Sequence, residues 1–148
     1  MDIQLGDVGH IIQLAVAPVF LLTGVCTNLM VLTNRLSRII DRSRTLEERY
    51  HAVSESDQAE HRAELESLNS RAHLINRAIT LSTTCALLVC LVIAALFLGD
   101  ALSLALANLI AAFFVIAMLA LIGSFVYLLR EIFIATRTLS MRTFIAKQ

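Results

Sequence analysis

No lysine or arginine precedes Arg35, and none stands in the short Gly99-Asp100 link between two long apolar runs. Those stretches carry only Asp2, Asp7 and Asp100. Without a basic region ahead of it, the first apolar run does not read as a cleaved secretory leader. Cleavage after Ala15-Val16-Ala17 would also leave Pro18 at the new terminus, and arginines follow the run directly, so an uncleaved anchor is expected. The three cysteines, Cys26, Cys85 and Cys90, lie inside apolar runs and have neither zinc-site spacing nor the placement of an extracellular disulfide framework. The four histidines, His10, His51, His61 and His73, lie outside the runs and form no His-Glu-x-x-His pattern. No phosphate-binding glycine loop is present, and no serine or cysteine has an apparent base partner. The chain is therefore expected not to be an enzyme, with no catalytic residue, cofactor or metal. A formal net charge of zero gives no electrostatic case for nucleic-acid binding.

What remains is apolar. The chain is 57% hydrophobic and only 16% charged, with a mean hydropathy of +0.76, outside the range of an ordinary soluble domain. A helix needs about 20 apolar residues to cross about 30 Å of hydrocarbon. Three runs qualify, at residues 11–33, 78–98 and 102–129. All twelve basic residues fall between the first and second runs or after the third. Positive charge stays on the cytoplasmic side during insertion. The expected fold is thus an all-α integral membrane protein with three transmembrane helices and a long cytoplasmic antiparallel helical hairpin between the first and second. Residues 1–10 form an extracytoplasmic N-terminus, 34–77 the hairpin and 130–148 a cytoplasmic tail.

The hairpin segment, Asn34–Arg77, contains neither proline nor glycine, and its turn signal is Ser54-Glu55-Ser56-Asp57. It reads as one helix out to Val53 and another back from Gln58. Apolar positions continue from the first span into the hairpin at Leu22, Val25, Leu29, Leu32, Leu36, Ile39, then Leu46, Tyr50 and Val53, with Ser43 at the one weak register position. Their alternating steps of three and four describe a heptad seam, matched on the returning helix by Leu65, Leu68, Ala72, Ile75 and Ile79. Arginines crowd the membrane end, within reach of lipid phosphates, while Glu55, Asp57, Glu60, Glu64 and Glu66 crowd the tip. The third span is rich in small residues suited to close helix approach in lipid, and its Asn108 is expected to be buried.

No ionisable residue falls in the middle of a span, whereas proton-coupled carriers place such groups at membrane depth. Three unequal spans also lack the paired halves of a repeat-built transporter. The first span and its flanks offer one polar-tinged face: His10, Gln13, Ala17, Phe20, Thr23, Gly24, Thr27, Asn28, Val31, Asn34, Arg35 and Arg38. Such a face should be hidden from lipid. Packing against the other two spans would hide it; so would several copies of the chain turning it toward an axis. In the second case Gln13, Thr23, Thr27, Asn28 and Asn34 line a pore. Phe20 and Val31 form hydrophobic gates, and Arg35, Arg38, Asp41 and Arg42 ring the cytoplasmic mouth.

At Ile12-Gln13-Leu14-Ala15-Val16-Ala17-Pro18-Val19-Phe20-Leu21-Leu22 and Thr33-Asn34-Arg35-Leu36-Ser37-Arg38-Ile39-Ile40-Asp41-Arg42-Ser43-Arg44, the chain resembles a family of small prokaryotic three-span membrane proteins known as a domain of unknown function. The resemblance covers nearly the whole chain. It implies a prokaryotic inner membrane, or a related internal one, and the same layout, and it supplies no activity or ligand. Asp41 lies three residues from Arg38, within helical reach, and is expected to bridge the surrounding guanidiniums. The leading functional expectation is a homo-oligomeric ion channel whose first helix lines the pore and whose cytoplasmic helical bundle forms a vestibule, with the bilayer and a permeant ion as partners. The alternative is a non-conducting scaffold or regulator that recruits a partner through the hairpin.

Overall fold

A computed structural model describes the backbone over residues 5–50, 55–102 and 106–145, and side chains over most of 9–48, 61–99 and 106–136. Three helices account for nearly all of it: α1 (Leu5–Tyr50), α2 (Glu55–Ala101) and α3 (Ala107–Ile145). No strand occurs among the described residues. With no Pro or Gly between positions 34 and 77, nothing in the sequence breaks α1 where its apolar run ends. Its 46 residues rise about 69 Å at about 1.5 Å each, more than twice the thickness of a hydrocarbon core. Pro18 lies inside α1 without ending it.

All three helices are long and apolar enough to cross a membrane. Only 22%, 22% and 11% of their most apolar windows are buried within the chain, so most of that surface is left for lipid or for another protein. This marks the chain as an integral membrane protein.

Several boundaries differ from those expected. α2 already includes Glu55, Ser56 and Asp57, anticipated as the turn; acidic and small polar residues also suit the first turn of a helix, where the dipole favours negative charge. Ser54 and the side chains of Glu55, Asp57 and Glu60, anticipated as part of an acidic tip, lie outside the described residues. α2 also absorbs Gly99 and Asp100 and closes with the Leu102 amide donating to the Leu98 carbonyl at 3.0 Å. α3 then starts at Ala107, five residues later than anticipated, and runs on to Ile145 through the expected tail. Asn108, expected to be buried, is exposed, because the late start puts it in the first turn.

The residues group into two compact units, to each of which all three helices contribute. The first comprises Met1–Leu29 and Leu81–Gly123. Its core is Val25, Cys85, Val89, Ala117 and Leu121, with Leu21, Leu22 and Leu29 packed on it. The absent side chain of Gly123 makes room for Leu81, whose Cδ1 would stand 3.1 Å from an added Cβ. Small residues at such contacts let helices approach closely where lipid removes the hydrophobic drive for association.

The second unit comprises Met30–Thr80 and Ser124–Gln148. Leu32, Ile39 and Leu46, spaced by seven, meet Leu68, Ile75 and Ala78, with Tyr127 and Leu128 of α3 against them. This is the anticipated seam, with Leu36, Leu65, Ala72 and Ile79 as its partly buried second register. Arg42 bonds Glu64, while Arg35 and Arg71 share Glu131. Seven residues back along α1 thus correspond to seven forward along α2, so the two helices run antiparallel here. Ser124 ties α3 to α2 by donating from its buried hydroxyl to the Ala78 carbonyl at 2.9 Å.

Candidate functional site

Two features concentrate polar chemistry: a face of α1 that the chain leaves open, and an ion cluster in the second unit.

At about 100° per residue, Gln13, Ala17, Phe20, Gly24 and Thr27 share a face of α1 within the first unit, and Val31, Asn34 and Arg38 share one within the second. All are exposed. Phe20 is 74% exposed, and nothing lies within 4 Å of a Cβ added at Gly24. Thr23 flanks the first of these faces and is exposed as well. Its hydroxyl donates to the Val19 carbonyl at 3.4 Å, and that of Thr27 to the Thr23 carbonyl at 3.0 Å. The helix thereby satisfies both donors while their oxygen lone pairs stay available to accept.

Asn28 parts from this set. It is only 8% exposed, and its Nδ2 donates to the Ser82 hydroxyl at 2.8 Å inside the first unit. The reason is angular: Asn28 sits about 100° around from Thr27, on the edge of the face that turns toward α2. Its amide serves helix packing, the role polar side chains commonly take between spans.

The expected mouth residues divide too. Arg35 Nη1 donates to Glu131 Oε2 at 2.7 Å. Arg71, from α2, donates from Nε and Nη2 to Glu131 Oε1 at 3.0 and 2.7 Å. Glu131 itself is 0% exposed, while both arginines keep part of their side chains accessible. A buried carboxylate with charge-assisted donors on both oxygens joins all three helices at one point. Arg42 reaches across to Glu64 Oε1 at 3.1 Å from Nε and 2.9 Å from Nη2. Asp41 is exposed and, among the described residues, pairs with neither Arg38 nor Arg42. Arg38 likewise has no acidic partner among them.

Sequence reasoning did not single out Glu131, since it lies two residues past the expected end of the third span. The available signal was register. Ala117, Ser124 and Glu131 are spaced by seven, so the small-residue face of α3 ends in an acid that a basic residue must meet. Arg35, Arg38, Arg42, Arg71 and Glu131 border a cavity of about 390 Å³ over Ile39 and Leu68.

The family model described as protein of unknown function, DUF2721, matches residues 15–141, and the chain belongs to that family. No curated protein and no solved structure matches the chain.

Proposed function

We propose that this DUF2721 member is a homo-oligomeric ion channel in which copies of α1 turn their open face toward a common axis. The carrying observation is the unburied polar residues of α1: a membrane helix that keeps Gln13, Thr23, Thr27 and Asn34 clear of its own chain needs a polar or protein environment for them. Copies around an axis supply both. Phe20 and Val31 are then the narrow apolar rings that gate by dewetting, and the threonine oxygens between them offer acceptors to a passing ion or its water. Asn28 stays in the packing. With Arg35 held by Glu131 and Arg42 by Glu64, Arg38 is the guanidinium left for the mouth. The arrangement of basic residues supports an N-terminus outside, a hairpin of α1 and α2 in the cytoplasm, and residence in a prokaryotic inner membrane.

The test is ion flux through liposomes containing the purified protein. Wild type should carry salt above the level of protein-free vesicles, and Phe20→Ala should raise the flux further, as expected when a dewetting ring is removed. Flux equal to that of empty vesicles in both would contradict the channel and favour the non-conducting scaffold that recruits a partner through the hairpin.

A further inference from the structure

Among the described residues, the cavity of the second unit carries more positive than negative charge. Arg35, Arg38 and Arg42 project from one face of α1 in steps of three and four, and Arg71 comes from α2. These four guanidiniums meet two carboxylates, Glu131 within the cavity and Glu64 beyond it, leaving an excess of two positive charges. Arg38 adds its charge with no acidic partner among the described residues. Glu131 grips Arg35 and Arg71 by three short bonds, so their remaining N–H groups are held rather than free to swing away. The cavity starts where the apolar part of α1 gives way to arginine, at the depth of a bilayer's phosphate layer if that part lies in hydrocarbon.

We propose that this cavity is a phosphate-binding site, occupied by the phosphate of an anionic lipid headgroup or by free phosphate. Planar guanidiniums match phosphate oxygens in pairs, and an ion cluster fixed in advance loses little side-chain freedom on binding. A volume of about 390 Å³ accommodates a phosphate group together with water or part of a glycerol. Arg38 is the residue committed to the anion, Arg35 and Arg71 are positioned for it by Glu131, and Arg42 closes one side. The site shares Arg38 with the mouth of the proposed channel but does not require conduction, so an anion binds there in a non-conducting assembly as well.

The full chain, purified and placed in nanodiscs, gives the test by native mass spectrometry with phosphatidylglycerol and phosphatidylcholine as competing probes. Wild type should retain phosphatidylglycerol preferentially, and Arg38→Gln should lower that retention about tenfold, the loss of one charge-assisted contact. Arg77→Gln, which removes an exposed basic residue away from the cavity, should leave it within about twofold. Arg38→Lys keeps the charge without the fork and should fall between wild type and Arg38→Gln, which separates binding from a folding defect. Retained phosphatidylglycerol that millimolar inorganic phosphate does not displace identifies the lipid headgroup. Displacement by inorganic phosphate, lost in Arg38→Gln, identifies free phosphate. Equal retention of both lipids with no phosphate effect, or equal loss in Arg38→Gln and Arg77→Gln, overturns the site.

Discussion

The two units of this chain use the same three helices and solve polar satisfaction in opposite ways. In Met1–Leu29 with Leu81–Gly123 there is no lysine or arginine, and the buried polar contact of α1 is the neutral Asn28–Ser82 bond. In Met30–Thr80 with Ser124–Gln148 stand all twelve basic residues, and the buried polar centre is Glu131 with Arg35 and Arg71. Neutral amide and hydroxyl groups suit a region surrounded by lipid, where a charge would be costly. A carboxylate can be enclosed where charged donors meet it, as the partly accessible Arg35 and Arg71 meet Glu131. The contrast teaches that this fold changes its fastening chemistry along the helices, from small-residue packing to ion pairing.

The largest effect should come from Arg71→Ala. It strips the two Arg71 bonds from the enclosed Glu131 and leaves it only Arg35, and unfolding in detergent should become easier by about 1.5–3 kcal/mol. Glu131→Gln should cost less, because the two arginines it releases are partly accessible and rehydrate. If the two variants cost the same, or Arg71→Ala costs less than about 1 kcal/mol, the ion cluster is not the fastening of the second unit.

A smaller loss is expected from Asn28→Ala in the first unit. Hydrogen bonds between membrane helices average about 0.6 kcal/mol and reach about 1.7, so the same unfolding measurement should return a value in that range. A double-mutant cycle with Ser82→Ala should show the two residues coupled. A cost rivalling that of Arg71→Ala would erase the distinction between the units.

The smallest effect belongs to Gly123→Ala. Alanine gains up to about 1 kcal/mol of helix propensity, against the slight shift needed from the flexible end of Leu81 at 3.1 Å. Thermal unfolding should move by less than the error of the Asn28 measurement. A loss above about 2 kcal/mol would mean that contact at Gly123 is far tighter than the one formed with Leu81.

Much of this organisation was legible in the residues. Apolar run length gave three membrane-capable helices, and the lack of Pro and Gly after Thr33 gave the continuity of α1. The spacing of Leu32, Ile39 and Leu46 gave the buried register of the second unit. The remainder depended on angles and neighbours that one sequence does not carry. Asn28 and Thr27 are adjacent in the chain yet face different surroundings. Arg42 finds Glu64 on another helix rather than Asp41 on its own. Glu131 looked like the start of a tail because hydropathy falls there, although the α3 face it occupies continues inward. Asn108 changed from buried to exposed through a helix start displaced by one turn and a half.

The central claim is that the open face of α1 turns toward an axis, and the number of chains in the assembly tests it most directly. Native mass spectrometry of the protein released from lipid nanodiscs should show a single closed oligomer of four or more copies, enough first helices to enclose a path. A monomer or a dimer would contradict the claim, because one or two helices cannot surround a pore.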